Sequence, residues 1–265
     1  MSKQTGSSEQ IVFTSGKGGV GKTTCVANVG TALAKMGFKT VLVDMDIGLR
    51  NLDLLLGLEN RIICDVVNVA KGKTPLRQAL IRDKKLNDKL FLLPASQVED
   101  KESLELKEIR NLFKKLKQEF DYVLIDSPAG IEQGFKNSII DADKAVIVAN
   151  PEISSVRDAD RVIGLLESNV DEIFSMINKV DIELMNEGES LSVDDLNDIL
   201  SVRNIGIIPN DKDIIISSNQ GKPVARDTEE KIGRLYHNAA RRLIGEDLEF
   251  ESLKEKSWIS KLLSF

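Results

Sequence analysis

The sequence predicts an α/β fold: a doubly wound, mostly parallel sheet flanked by helices, with a C-terminal amphipathic helix. Three observations predict it. Short apolar runs alternate with amphipathic ones, the pattern of a parallel sheet covered by helices. A glycine-rich loop lies between the first apolar run and the first amphipathic one. No repeat, long linker or proline-rich stretch divides the 265-residue chain ahead of Gly245.

The strand candidates are Ile11–Phe13, Thr40–Val43, Leu90–Leu93, Tyr122–Ile125, Ala145–Val148, Ile173–Ile177 and Ile205–Ile208. Several are apolar on both faces, as buried parallel strands are. The helical segments between them cover 22–36, 101–119, 155–168, 192–200 and 227–244. Ser154 and Ser155 offer a cap for the third of these. The chain then divides into a polar tail over 1–10, a body over 11–245, an acidic linker over 246–251 and a terminal helix over 252–265.

Composition excludes several classes of function. The formal charge is -6, from 36 Lys and Arg against 42 Asp and Glu. An acidic balance argues against a surface built to clamp nucleic acid. The single His and two Cys rule out a zinc finger, a His-rich metal site and a disulfide framework. His237 lies in a helical run and reads as structural. Cys25 and Cys64 fit a reducing, cytoplasmic chain. No stretch approaches the roughly 20 apolar residues of a membrane span, and the first ten residues lack the apolar core of a secretory signal.

The strongest chemical signal is Gly16-Lys17-Gly18-Gly19-Val20-Gly21-Lys22-Thr23. It follows a strand and opens a helix, the context that a phosphate-binding loop requires. Gly18, Gly19, Val20 and Gly21 let backbone N–H groups wrap a polyphosphate, and the helix N-terminus adds favourable charge. Lys22 reaches the β- and γ-phosphates, Thr23 coordinates Mg²⁺ and Thr24 bonds the α-phosphate in this reading. Lys17 is an addition that the motif does not require. It stands awkwardly for its own nucleotide but within reach of a facing subunit's, where a cation stabilises a transferring phosphoryl group.

Carboxylates complete the set. Asp126 ends an apolar run, where an aspartate holds Mg²⁺ through water. Asp44 ends the strand after the loop's helix, and Asp46 follows two residues on. One of these orients an attacking water, or is a plain loop carboxylate.

The last 14 residues form their own unit. At about 100° per residue, Trp258, Leu262 and Phe265 fall together, with Ile259 and Leu263 extending the same side. Lys254 and Lys261 flank one edge of that face and Lys256 the other, and Glu255 is the single acid, so the local charge is 3 - 1 = +2. That is the composition of a helix lying on an anionic membrane surface. One copy binds weakly. Two copies held in a dimer bind about 10²–10⁴-fold tighter.

Four segments together resemble one family. Lys17–Thr24 is similar to the deviant Walker A motif of the MinD/ParA ATPases. Asp44-Met45-Asp46-Ile47-Gly48-Leu49-Arg50-Asn51-Leu52-Asp53 resembles their first switch, and Asp126-Ser127-Pro128-Ala129-Gly130-Ile131-Glu132 their second. Asn150-Pro151-Glu152 and Ser154–Asp158 match as well, and the likeness runs from about residue 11 to 265. It implies a P-loop NTPase fold of the SIMIBI type and Mg²⁺-dependent hydrolysis of ATP to ADP and phosphate. It implies an ATP-dependent homodimer in which Lys17 contacts nucleotide across the interface. By the same resemblance Asp46 positions the hydrolytic water, Asp44 and Asp126 surround Mg²⁺, and Asn178 and Pro209 sit where the family contacts adenine. Arg157, Asp158 and Asp160 lie where partner proteins dock. The partners so implied are MinC, recruited to control division-septum placement, and MinE, which stimulates hydrolysis and release from the cytoplasmic face of the inner membrane. Nucleic acid is not implied as a primary partner. A ParA-type DNA-segregation ATPase and a flagellar-number relative are the alternatives. An iron–sulfur ATPase is set aside, because neither cysteine lies near the second switch.

Overall fold

The computed structural model describes residues 8–97, 104–251 and 253. In chain order the elements are β1 (Glu9–Thr14), α1 (Lys22–Lys35), β2 (Thr40–Asp44), α2 (Leu52–Leu56), α3 (Val66–Ala70), α4 (Leu76–Ala79) and β3 (Ile81–Asp83). Then follow β4 (Leu90–Leu93), α5 (Leu106–Glu119), β5 (Tyr122–Asp126), α6 (Gln133–Ser138), β6 (Lys144–Ala149), α7 (Ile153–Leu166) and β7 (Glu172–Val180). The described chain ends through α8 (Ile182–Glu187), α9 (Val193–Leu200), β8 (Arg203–Pro209), α10 (Lys212–Asn219) and α11 (Lys231–Leu243).

These strands form one eight-stranded sheet in the order β3-β4-β2-β5-β1-β6-β7-β8. Every pairing is parallel except β3 with β4. Alternation along each strand feeds two cores. Val12, Val41, Val43, Val123 and Ile125 pack on one face with α3, α5 and α7. Ile11, Phe13, Leu42 and Leu124 pack on the other with α1 and α11. Burial on both faces explains the unbroken apolar runs read from the sequence.

All seven strands expected from the sequence are present. β3 was not legible: it has three residues, and as an antiparallel edge strand it exposes Arg82. The expected serine cap is corrected. Helix α7 starts earlier, at Ile153, with Glu152 at its N-cap and no side-chain cap bond. Ser155 instead accepts a hydrogen bond from Asn150 N at 3.0 Å, and so closes the turn between β6 and α7. His237 is structural, its Nε2 donating to Ala225 O at 2.9 Å.

The acidic stretch 246–251 lies along α11 rather than running free. Gly245 turns the chain with φ at +94°. Arg242, buried on α11, then donates to Leu248 O at 2.9 Å and Glu249 O at 2.6 Å from the returning strap. Its third nitrogen, Nη1, donates to Ile205 O on edge strand β8 at 3.1 Å, and Phe250 stacks 4.0 Å from its guanidinium. Asn238 Nδ2 to Glu251 Oε1 at 2.7 Å and Lys231 Nζ to Leu253 O at 3.1 Å carry the strap back toward the first turn of α11. The strap is therefore held along α11, and Arg242 links it to the edge strand β8. Lys254, Lys256, Trp258, Ile259, Lys261, Leu262, Leu263 and Phe265 lie outside the described residues. Among the described residues, no helix is long and apolar enough to cross a membrane.

Arg242→Met removes the donors of these three bonds while keeping most of the stem. It is expected to cost about 2–3 kcal/mol and to speed amide exchange of residues 246–251 at least tenfold, with exchange in β1 and β5 unchanged. Hydrogen-exchange mass spectrometry checks this; unchanged protection of the strap contradicts it.

Candidate functional site: the phosphate loop and two strand-end carboxylates

Strand β1 lies between β5 and β6, so the chain reverses its winding direction there. Ligands of doubly wound sheets bind at such a point, at the carboxyl ends of the strands. The loop from Ser15 to Gly21 leaves β1 at this crevice and delivers Lys22 to the first turn of α1. It borders a cleft of about 870 Å³, lined by Gly18 to Thr24 together with Asp46, Asn51, Pro128, Ala129 and Ser218 to Gly221.

Register brings the acids together. Asp44 and Asp126 are directly paired residues at the ends of neighbouring strands β2 and β5. Both carboxylates are buried. Lys22 Nζ bonds Asp126 Oδ1, and the Thr23 hydroxyl bonds the same carboxylate. Asp44 uses its two oxygens differently. Oδ1 accepts from Asp46 N at 3.0 Å and Oδ2 from Leu52 N at 3.4 Å, so one side chain gathers both ends of the loop between β2 and α2. Burial, and secondarily the facing Asp126, push Asp44 up to about 8. Burial also raises Asp126, with Lys22 opposing it.

The first-switch segment is shaped by this anchor. Gly48 N donates to Ser96 O at 2.8 Å, and Arg50, at φ +43°, pairs its Nε with Asp53 Oδ2 at 3.0 Å. The second-switch segment is tied to the phosphate loop through Gly130 N to Ser15 O at 3.1 Å.

Lys17 points out of this cleft. Its Nζ bonds Glu152 Oε2 at 2.6 Å and Ser154 Oγ at 3.1 Å, at the start of α7. The ammonium holds the Glu152 carboxyl below its ordinary value. Lys17 also borders a second cleft, of about 990 Å³, with Asn150, Lys179, Asp181 and Asn210. Gly16 explains why α7 stands so close: a Cβ there would sit 2.4 Å from Asp158 Cβ. Asp158 is thus half-buried against the loop, whereas Arg157 and Asp160 are exposed on α7.

The structure puts Lys22, Thr23 and Asp46 in the cleft wall and the buried Asp44 and Asp126 side by side at the ends of β2 and β5, with Asp126 bonded to Lys22. Asn178 is buried and gives its amide to Val20 O at 2.8 Å, and Pro209 ends β8. Sequence reasoning missed Ser218 to Gly221 in the cleft wall, and Lys179, whose Nζ bonds Gly19 O at 2.7 Å. The signal for Lys179 was its place next to Asn178; nothing in the sequence marked 218–221.

The chain is similar to known proteins. The family model ParA, described as NUBPL iron-transfer P-loop NTPase, matches residues 7–244. The septum site-determining protein MinD of Bacillus subtilis (strain 168) is 49% identical over 261 residues, 97% of each chain. The chain belongs to the MinD family. Of its solved members, the chain in the MinC:MinD cell division protein complex of Aquifex aeolicus is 46% identical with a TM-score of 0.84, covering 92% of this chain and 99% of that one. The MinD of Pyrococcus horikoshii OT3, solved with Mg-ADP, is 27% identical with a TM-score of 0.79, covering 90% and 96%. The chain has the fold of a P-loop NTPase, with a mostly parallel sheet.

The raised Asp44 carries a pH consequence. Its folded pKa of about 8 lies above the usual 3.8, so the folded chain binds the extra proton. Stability from this group is present at low pH and falls as pH rises between those values. Asp44→Asn is therefore expected to melt about 3 °C or more above the unsubstituted, nucleotide-free chain at pH 8, with the gap narrowing toward pH 5. A thermal scan at both pH values checks it; a gap that widens toward pH 5 contradicts it.

Proposed function

We propose that the chain is an ATPase that dimerises with ATP, binds the inner membrane through its terminal helix and controls where the division septum forms. The observation that carries this reading is the pairing of an assembled phosphate site with a signature lysine held outside it. Lys22, Thr23 and Asp46 line one cleft with the buried Asp44 and Asp126 behind it, and the Lys17 side chain turns away from it to the start of α7. Support also comes from relatives matched over nearly their whole length.

The residues fit Mg-ATP. Two buried carboxylates share one lysine, and a threonine hydroxyl lies between them and the loop, an oxygen-rich set suited to a small hard cation. Thr23 would hold Mg²⁺ directly, and Asp44 and Asp126 through water. Mg²⁺ held there would neutralise charge on a bound nucleotide's phosphates. Lys22 would leave Asp126 for the phosphates. Asp46 would orient the attacking water at the mouth of the cleft. Lys17 would give up Glu152 and Ser154 to reach the nucleotide of a facing subunit, so that each site is completed only in the dimer.

MinC is the partner supported by the solved complex of a relative, and MinE would stimulate hydrolysis. The exposed Arg157 and Asp160 on α7, with Asp158 between them, are the proposed docking face. The DNA-segregation alternative is less supported, because ParA-type structures match at about 20% identity and show the fold alone.

Two experiments test this. Asp46→Ala should lower the hydrolysis rate by roughly 10²–10⁴-fold, the size of a lost proton-handling group, and leave ADP binding intact; normal turnover contradicts the role. The full chain should sediment with anionic vesicles under Mg-ATP and far less under ADP, and a chain ended after Leu253 should remain in the supernatant. Equal sedimentation under either nucleotide would sink the switch.

A further inference from the structure

Strand β7 carries one residue more than β8 near its end. Ile177 pairs with Ile207 and Val180 with Pro209, so Asn178 and Lys179 together face one residue, Ile208. Successive side chains of a regular strand point to opposite faces. A bulge breaks that alternation and re-aims a side chain. Both bulge residues here reach the phosphate loop: Asn178 Nδ2 donates to Val20 O at 2.8 Å and Lys179 Nζ to Gly19 O at 2.7 Å.

Two further observations show that this arrangement is constrained. Lys179 holds φ at +57°, a region that a lysine rarely occupies. Backbone strain of this kind persists where the surroundings impose it, and it gathers at functional sites. Gly21 lies beneath the pair. A Cβ on Gly21 would stand 2.2 Å from Asn178 Nδ2 and 3.8 Å from Lys179 Cε, so only glycine leaves the asparagine its place.

The consequence is stereochemical. A peptide unit is planar, and in the trans form its C=O and N–H point opposite ways. No cis bond occurs among the described residues. Turning Gly19 O toward Lys179 therefore turns Val20 N–H away from it. Turning Val20 O toward Asn178 does the same for Gly21 N–H. Val20 and Gly21 both line the cleft. We propose that Asn178 and Lys179 are positioning residues, which hold two loop carbonyls outward and so preset the Val20 and Gly21 N–H groups for a polyphosphate. This rests on the phosphate-site reading above and deepens it, by tying the loop to a strand two places away in the sheet.

The test uses the full chain and Lys179→Gly. Glycine accepts the bulge conformation without strain, so the fold keeps its backbone while the ammonium is lost. Titration with a fluorescent ADP plus Mg²⁺ should show about tenfold weaker binding or more, the effect of one charge-assisted hydrogen bond. The melting temperature without nucleotide should hold or rise. Lys179→Arg should recover most of the affinity. Amide exchange at Val20 and Gly21 should speed up in Lys179→Gly alone. Binding by Lys179→Gly as tight as by the unsubstituted chain overturns the proposal. If the unsubstituted chain itself fails to bind ADP, the nucleotide reading falls, and the exchange rates still decide: unchanged rates in Lys179→Gly overturn the positioning role.

Discussion

One buried ammonium serves two buried carboxylates. Lys22 bonds Asp126, and Asp44 stands beside Asp126 across a strand pairing. Removing charges from water costs several kcal/mol for each ion unless partners satisfy them. With Asp44 and Asp126 both ionised, the site would hold two negative groups against one positive one; Asp44 avoids this by keeping its proton up to about pH 8, and losing that proton leaves the site short of positive charge. That shortage is what a small hard cation would relieve. The rest of the site is built around it: Asp44 spends its oxygens on the backbone of the first switch, and Thr23 gives its hydroxyl to Asp126.

The sheet makes this arrangement affordable in structural terms. The parallel order around β1 puts the ends of β2, β5, β6 and β7 on one edge, so residues far apart in sequence converge on one loop. Asp44 and Asp126 arrive by register, and Glu152 and Lys179 arrive from the loops and bulge on the other side. The phosphate loop is thus fixed from both flanks. Lys22 ties it to β5, and Asn178 and Lys179 tie it to β7. Lys17, half-buried and held by a surface pair, has room to change partner. Surface pairs contribute about 0–1 kcal/mol, so a nucleotide in a facing subunit competes easily with Glu152.

Much of this was legible in the sequence, for identifiable reasons. The long strands are apolar on both faces, which marks them whatever their partners. The phosphate loop is a contiguous motif whose glycines and lysine act within a few residues of one another. What escaped depends on distance. Lys17 and Glu152 are 135 residues apart. The bulge at Asn178 and Lys179 exists only in register with β8. The docked strap needs a buried arginine, and Arg242 reads in sequence like any cation at a helix end. Edge strand β3 escaped because three residues with outward charge carry no periodic signal.

The central claim is that Lys22 and Asp126 hold one another in the nucleotide-free chain. A double-mutant cycle of Lys22→Met and Asp126→Asn, read by denaturant unfolding without nucleotide, measures it most directly. Lys22→Met alone should cost about 3–5 kcal/mol, because it leaves a buried carboxylate without its cation. The double variant should be less destabilised than the sum of the two by about 1 kcal/mol or more. Strictly additive losses would contradict the account.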